Sequence, residues 1–90
     1  MIKYSIFTTK QFDNSFKKLD YSVKLQIKHW IDKHLINCDD PKAFGKPLSA
    51  NKKGYWRYRI GDYRIIAEIN DKRLLLIMIN IGHRSKVYSN

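Results

Sequence analysis

The sequence lacks the residues that build disulfide or metal frameworks, because Cys38 is its single cysteine. One cysteine excludes an intramolecular disulfide and any zinc site made of several cysteines, and it favours a reducing compartment such as the cytoplasm. His29 and His34 lie on one predicted helix, but no third ligand at metal spacing accompanies them. We therefore expect neither a metal nor another cofactor.

Long hydrophobic runs and several familiar catalytic patterns are missing too. The apolar stretch from Leu74 to Ile81 is interrupted by Asn80 and is far shorter than the roughly 20 residues that span a bilayer. The stretch from Met1 to Thr9 is too short for the apolar core of a secretory signal. The sequence has no Walker loop, Ser-His-Asp order, glycine-rich dinucleotide turn or paired-carboxylate motif. We expect a cytoplasmic protein with no membrane partner.

Acidic residues are scarce relative to basic ones. Eight Asp and Glu stand against 18 Lys and Arg, which gives a net charge of +10 over 90 residues. Such a field attracts nucleic acid, an acidic protein or an anionic membrane surface, and charge alone does not choose among them. The length suits one hydrophobic core, so we predict a single domain over residues 1–90.

The first half of the chain has the pattern of a strand followed by a helical hairpin. Residues 2–7 alternate with a period of two, as in a strand. Thr8 or Thr9 is a candidate N-cap for a helix whose apolar stripe is Phe12, Phe16 and Leu19. Asp20 is the candidate N-cap of a longer helix, with an apolar repeat at Val23, Ile27, Trp30, Ile31 and Leu35. We expect Pro41 to end this second helix, followed by a loop to about Lys53.

The second half is rich in β-branched and aromatic residues, which predicts three strands at residues 55–60, 63–70 and 73–81. Gly61-Asp62 fits a two-residue hairpin turn, and Asn70-Asp71-Lys72 fits a longer one. The predicted fold is α+β in the order β-α-α-β-β-β. A helical hairpin packs on one face of a mainly antiparallel four-stranded sheet.

Arginines are concentrated on one face of the predicted hairpin. Arg57 and Arg59 alternate with Trp56, Tyr58 and Ile60, so the two guanidinium groups point to the same face. Arg64 follows the turn, and Arg84 follows the last strand. These cations either solvate an open sheet face, paired with Glu68 or Asp62, or bind phosphate. The scarcity of acids from Tyr55 to Tyr88 favours phosphate binding.

A second polar cluster follows Gly82 and consists of His83, Arg84, Lys86 and Tyr88. A histidine titrates near neutrality, and a tyrosine hydroxyl loses its proton more easily in a cationic field. Either group could move protons in phosphoryl transfer. The alternative for His83, a lone histidine beside a turn, is a purely structural hydrogen bond.

Two motifs resemble the RelE/ParE toxins of bacterial toxin–antitoxin modules. The run from Gly54 to Ile66, with the sequence GYWRYRIGDYRII, resembles the central hairpin of that family. The run from Ile81 to Tyr88, IGHRSKVY, resembles its closing signature. Length, element order and basicity agree with the family over essentially the whole chain.

The resemblance implies a RelE-type endoribonuclease that cuts messenger RNA in the ribosomal A site without a metal. In such toxins the ribose 2′-hydroxyl attacks the adjacent phosphate, leaving a 2′,3′-cyclic phosphate and a 5′-hydroxyl. The family's roles map onto Arg64 and Arg84 as stabilisers of the developing phosphorane charge, and onto Tyr88 as the residue that orients or stacks on the substrate. His83 is a further catalytic candidate. We expect RNA contacts from Arg57, Arg59, Lys52, Lys53 and Lys86.

The sequence departs from the family pattern in two places. Arg57 and Arg59 stand where the best-known RelE toxin has two lysines, and arginine almost never gives up its proton. The general base is then His83 or Tyr88, or the rate rests on ribosomal positioning and charge stabilisation alone. Ser49 stands where the family has another arginine, which removes one phosphate contact.

Two other functions remain open on the sequence. The ParE branch shares the fold and poisons DNA gyrase, so fold alone does not settle the target. A protein that only binds nucleic acid is the third possibility. The resemblance also implies a RelB-like antitoxin partner, acidic or partly helical, which forms a toxin–antitoxin hetero-oligomer and docks a helix on the sheet edge or the helical hairpin.

Overall fold

A computed structural model describes residues 3–48 and 54–87. In chain order the elements are β1 (Ser5–Thr8), α1 (Lys10–Lys17), α2 (Tyr21–His34), a 3-10 helix (Pro41–Phe44), β2 (Lys46–Pro47), β3 (Tyr55–Ile60), β4 (Tyr63–Asn70) and β5 (Leu75–His83). The strands form one sheet in the order β1-β5-β4-β3-β2. The predicted α+β fold is confirmed, and the two-residue β2 is an addition within the segment predicted as a loop.

The central hairpin has the predicted bounds because its turn chemistry is local. β3 and β4 pair antiparallel from Tyr55 opposite Glu68 to Ile60 opposite Tyr63. Gly61, in the turn between them, has φ +57, a conformation that costs glycine little because it has no Cβ. β5 then pairs antiparallel with β4, while β1 pairs parallel with β5 at the free edge of the sheet.

Both helices cover the same face of the sheet and enclose the core. The apolar stripes predicted for them are buried: Phe12 of α1 is 5% exposed, and Ile27 of α2 and Leu35 just after it are 0% exposed. From the sheet the core takes alternate residues, as pleating requires, except that three positions separate the last two members on β5. These residues are Tyr58, Ile60, Ile65, Ala67, Ile69, Leu76, Met78 and Ile81. No described helix is both long and apolar enough to cross a membrane.

A β-bulge in β5 sets the docking of α1. Ile66 lies opposite Asn80 but Ala67 lies opposite Met78, so Ile79 is an extra residue in β5. Thr9, the N-cap of α1, accepts a hydrogen bond from the backbone N–H of Phe12 at 3.1 Å and donates its hydroxyl to the Ile79 carbonyl at 2.7 Å. One side chain therefore caps the helix and ties it to the bulge.

The ends of three elements differ from the sequence prediction. β1 begins at Ser5 and β5 runs from Leu75 to His83, because pairing with neighbouring strands sets these limits. α2 ends at His34, well before Pro41, so the prediction that proline ends this helix is wrong. Asn37 instead adopts a left-handed conformation with φ +62, which asparagine tolerates better than most residues.

Candidate nucleic-acid interface

The sheet face opposite the helices carries Arg57, Arg59 and Arg64, and we call it the arginine face. Arg59 lies directly opposite Arg64 in the antiparallel pairing, so both side chains leave the sheet on the same side. Arg57 is two residues from Arg59 and shares that side. Tyr58 and Ile60, between and beside them, are buried in the core, as the alternation predicted.

These three arginines line one cavity of about 300 Å³, together with Ala43, Phe44, Gly45 and Lys46. We call it the arginine cavity. Its cationic side comes from β3 and β4, and its other wall comes from the segment of residues 41–47, which includes the 3-10 helix and β2. The sequence reasoning missed this wall, although an exposed aromatic and a lysine in the run AFGKP of a predicted loop were a possible signal.

Close contacts with β3 hold the 41–47 segment in place. The hydroxyl of Tyr58, a fully buried side chain, donates to the Pro41 carbonyl at 2.7 Å. Burial raises the pKa of Tyr58, which keeps this donor protonated. A Cβ on Gly45 would lie 2.6 Å from the Arg57 carbonyl oxygen and 2.9 Å from the Tyr58 ring. Only glycine allows the segment to lie this close to β3.

A polar cluster fastens the same segment to the turn between β4 and β5. The Lys42 ammonium donates to Asp71 at 2.6 Å, and the Tyr4 hydroxyl donates to the other carboxylate oxygen at 2.7 Å. The Lys42 contact and then the Tyr4 hydrogen bond hold the pKa of Asp71 below its ordinary value. The hydrogen bond to Asp71, followed by burial, raises the pKa of Tyr4 to about 12.

Carboxylates do not neutralise the arginine face in the part of the chain that the structure describes. The ion pairs there are Lys42 with Asp71 and Arg84 with Asp62. Arg64 donates from Nη1 to the carbonyl oxygens of Gly61 and Tyr63, both at 2.9 Å. A guanidinium has five N–H donors, so Arg64 keeps donors for an anion while its position is fixed. The sequence had left open that Glu68 or Asp62 pairs with these arginines. Within residues 3–48 and 54–87, neither carboxylate forms an ion pair with Arg57, Arg59 or Arg64.

Arg84 lies at the same end of the sheet, beside the β3–β4 turn rather than in the arginine cavity. Its backbone N–H donates to the Asp62 carbonyl at 2.8 Å, and its Nε is 3.9 Å from the Asp62 carboxylate. Both side chains are more than half exposed, so this ion pair is weak and easily exchanged for another anion. Because Asp62 is two residues before Arg64, its contact with Arg84 places Arg84 near the arginine cavity, although Arg84 is not part of the lining.

His83 leaves the sheet on the side opposite Arg64. It pairs with Tyr63, and the two rings meet edge to face at 5.7 Å between centroids. Its Nδ1 accepts the Ser85 backbone N–H at 3.2 Å and lies 2.8 Å from the Ser85 hydroxyl. These contacts leave Nε2 as the ring nitrogen for any substrate contact, and they provide the structural hydrogen bond that the sequence had left as an alternative.

Five of the residues singled out from the sequence lie outside the described residues or in the final turn. Tyr88, Lys52 and Lys53 are outside the described ranges, as is Ser49. Lys86 is exposed in the turn after β5, and its backbone N–H donates to the His83 carbonyl at 2.9 Å. This turn folds back so that Val87, which is 7% exposed, packs over Gly82.

A second cavity of about 290 Å³ lies beside the first, between α2 and the end of β3. Its lining includes His29, Trp30, Lys33, His34 and Arg59. The Trp30 ring packs against Tyr58 at 5.5 Å, and His34 Nδ1 lies 3.0 Å from the Trp30 carbonyl. Trp30 is therefore part of the core packing, as predicted, and His34 is fixed beside it.

The arrangement as a whole suits binding of a phosphodiester. Three guanidinium groups in one depression supply several charge-assisted donors to anionic oxygens. Sheet pairing fixes the backbone positions from which the three side chains extend. The Arg64 guanidinium is in addition held by two carbonyl oxygens, so it is oriented before a ligand arrives, which is what stabilisation of developing charge requires.

Comparison with known proteins identifies the family. A family model described as the ParE toxin of type II toxin–antitoxin systems, parDE, matches residues 6–88. The chain belongs to the ParE toxin family. ParE toxins fall within the RelE/ParE superfamily named from the two sequence motifs, and that prediction is confirmed.

Relatives of this ParE-family toxin include RelE-type proteins. Toxin RelG of Mycobacterium tuberculosis is 31% identical over 49 residues, which are 54% of this chain and 56% of RelG. The match thus spans little more than half of that relative. A chain of the toxin–antitoxin complex RelBE2 from the same organism superposes with a TM-score of 0.78 at 22% identity, over 92% of this chain and 100% of the other.

A second similar structure is the RelB–RelE antitoxin–toxin complex from Methanococcus jannaschii. One of its chains superposes with a TM-score of 0.68 at 25% identity, covering 91% of this chain and 94% of that chain. These superpositions show a RelE-like fold, and the family model over residues 6–88 identifies a toxin of a type II toxin–antitoxin system.

Proposed function

We propose that this toxin is a ribosome-dependent endoribonuclease that cuts messenger RNA in the A site. The single observation that supports the proposal most is the grouping of Arg57, Arg59 and Arg64 in one cavity without a neutralising carboxylate among the described residues. Cations held together in this way repel one another unless a polyanion lies between them. Messenger RNA in the cytoplasm is the polyanion that the RelE resemblance implies.

The proposed reaction is internal transfer at one phosphodiester, without metal. The ribose 2′-oxygen forms a bond to phosphorus, the bond from phosphorus to the 5′-oxygen breaks, and the products are a 2′,3′-cyclic phosphate and a 5′-hydroxyl. The proton of the 2′-hydroxyl goes to a base, and the 5′-oxygen takes up a proton. Arg64 donates to the non-bridging oxygens as their negative charge increases, and Arg84, released from Asp62, joins it.

Proton transfer falls to groups other than the arginines of β3. Arg57 and Arg59 keep their protons at any physiological pH, so they act through charge alone. Because Nδ1 accepts the Ser85 N–H, a neutral His83 ring carries its proton on Nε2 and donates from there, so His83 acts as a base in this scheme only after Nδ1 is released from Ser85. Tyr88, one residue beyond the buried Val87, is the other proposed participant and the residue that orients the substrate. Lys52, Lys53 and Lys86 are proposed to supply further contacts to the RNA backbone.

We propose a RelB-like antitoxin as the protein partner. Of the five large hydrophobic side chains that are exposed among the described residues, three lie on β1 and on the first turns of α2: Phe7 is 54%, Tyr21 75% and Leu25 50% exposed. Tyr21 and Leu25 are four residues apart on α2 and so share one stripe. A partner helix with apolar residues at the matching spacing and acidic residues beside them fits this basic, partly apolar surface.

Translating ribosomes incubated with the purified toxin test the proposal. Primer extension on the mRNA should show new 5′ ends at defined codon positions. Arg64→Ala and Arg84→Ala should each lower the cleavage rate by about 100-fold or more, as for the loss of one oxyanion donor. Circular dichroism and antitoxin binding should remain those of the wild type, because neither side chain is in the core. Arg73→Ala, an exposed arginine at the opposite end of β4, is the matched control and should cleave normally.

Inhibition of DNA gyrase is the second candidate, and the ParE description of the family model favours it. Supercoiling assays with purified gyrase separate the two. If the toxin abolishes supercoiling by gyrase and leaves mRNA on the ribosome intact, the protein is a gyrase inhibitor and the nuclease proposal is wrong. Intact mRNA and normal supercoiling, with RNA binding retained, would leave a binding protein.

A further inference from the structure

One wall of the arginine cavity carries an exposed aromatic ring. Phe44 lines the cavity beside Lys46 and the three arginines, and 42% of its surface is exposed. A large apolar side chain in a cationic cavity exposes apolar surface to water without being part of the core. The proposed phosphate chemistry uses the cations and leaves this ring without a role.

Phe44 is held in position by contacts on its protein side. Its ring meets the His34 ring edge to face, with centroids 5.1 Å apart and an angle of 63°. The His34 ring packs on Trp30 at 4.6 Å between centroids with an angle of 31°, and Trp30 packs on the buried Tyr58. Phe44 is also the last residue of the 3-10 helix, which Tyr58 and Asp71 fasten through Pro41 and Lys42. The exposed surface of the ring is therefore presented at a fixed place relative to the arginines.

An aromatic ring next to several guanidinium groups suits an unpaired nucleotide. The base stacks on the ring while the cations bind the flanking phosphates, which is how proteins commonly hold single-stranded nucleic acid. The cavity volume of about 300 Å³ is at the lower end of the range of sites for small ligands. It is suited to one nucleotide rather than to a duplex.

We propose that Phe44 is a stacking platform for one unpaired base of the RNA, next to the phosphates bound by Arg57, Arg59 and Arg64. This inference rests on the proposed RNA substrate. It specifies that the bound RNA is single-stranded and that one base is unstacked from its neighbours. Phe44 thereby sets which nucleotide is held beside the phosphate-binding arginines.

Binding to modified RNA tests the stacking contact separately from cleavage. A short single-stranded RNA with every 2′-hydroxyl methylated has no hydroxyl to attack and stays intact. Its affinity for the full-length toxin is compared with that of versions lacking one base at successive positions. We expect one such removal to weaken wild-type binding about 5- to 100-fold, the range for loss of one base–aromatic stack.

The variants make the assignment specific to Phe44. Phe44→Ala should bind intact RNA more weakly by a similar factor and lose its sensitivity to removal of that base, whereas Phe44→Trp should retain both. Phe44→Leu keeps apolar bulk without a π face and should behave as alanine does. Ile36→Ala removes a large apolar side chain of similar exposure just after α2 and should bind as the wild type does. Thermal unfolding of each variant reports whether the fold is retained.

Three results would overturn the proposal. In the first, Phe44→Ala and the wild type bind intact RNA with equal affinity. In the second, removal of a base weakens RNA binding equally in both proteins. In the third, Phe44→Ala binds the antitoxin more weakly and binds RNA as the wild type does. The last would assign the ring to the protein partner. A toxin that shows the predicted base dependence but leaves ribosomal mRNA intact would refute the nuclease and keep the stacking platform, so the two proposals fail separately.

Discussion

At the scale of single residues, Arg57 tests whether a cation of the arginine face acts by binding phosphate or by transferring a proton. It is half-buried in the cavity wall and its backbone carbonyl contacts Gly45, so its position is well defined. As an arginine it contributes fixed positive charge and directional hydrogen-bond donors, and it does not act as a general base. Its effect on RNA should therefore appear in binding and in salt dependence.

Arg57→Ala should weaken RNA binding and reduce its dependence on salt. Each phosphate contact that is lost lowers the slope of log affinity against log salt by about 0.7 for a single strand, because fewer counterions are released. Titrations at several salt concentrations with the methylated RNA measure this slope. Arg73→Ala is again the control, and a slope in Arg57→Ala equal to that of the wild type would contradict the phosphate contact.

At the scale of elements, the 41–47 segment builds one wall of the site although it consists only of a short 3-10 helix and a two-residue strand joined by Gly45. β2 is only two residues long, and its pairing with β3 joins Lys46 to Arg57 and Pro47 to Trp56. The contacts that hold the rest of the segment come from Tyr58 and Asp71, which are distant in sequence, and Tyr4 in turn donates to Asp71. A pattern of local periodicity does not detect such a segment, which is why the sequence predicted only a loop.

Asp71→Asn should destabilise the fold near neutral pH by up to about 1 kcal/mol, since the Lys42 pair is roughly half exposed and screened. The pKa of Asp71 is lower in the folded state. Its stabilisation is therefore present above the ordinary pKa of 3.8 and disappears as the pH falls below that value. Denaturant unfolding from about pH 7 to about pH 2 should show a difference between wild type and variant that shrinks on acidification.

The control for that measurement is Asp32→Asn, which removes the same charge from an exposed position on α2. A difference between wild type and Asp71→Asn that persists unchanged at acid pH would show that the carboxylate charge is not what fastens the 41–47 segment. RNA binding by Asp71→Asn should also weaken, because the segment forms one wall of the arginine cavity.

At the scale of the whole molecule, the net charge of +10 opposes folding as well as attracting partners. The thermal midpoint of the free toxin should rise with ionic strength from about 0.01 M to about 0.15 M, as the Debye length falls from about 30 Å to about 8 Å. Differential scanning calorimetry measures the midpoint. A variant with Lys17, Lys18, Lys24 and Lys28 replaced by glutamine should respond less, and a midpoint that falls with salt in the wild type would argue against self-repulsion.

The whole fold was predictable in outline because most of its elements have local signals. The helices follow from apolar stripes and the Thr9 cap, and β3 and β4 follow from period-two alternation around Gly61-Asp62. The shared side of Arg57, Arg59 and Arg64 follows from that same alternation. Of the proposed site, the cationic part was visible in this way, whereas Phe44, Gly45 and Lys46 were not.

The sequence by itself determined the order of elements, the basic character and the arginine face, since strand alternation and turn chemistry act over a few residues. Only the tertiary structure decided that β1 joins β5 in parallel, that Ile79 forms a bulge under α1 and that the 41–47 segment closes the arginine cavity. Those features depend on contacts between residues far apart in the chain, such as Tyr58 with Pro41 and Lys42 with Asp71. Their free energy is gained only once the core has brought the partners together.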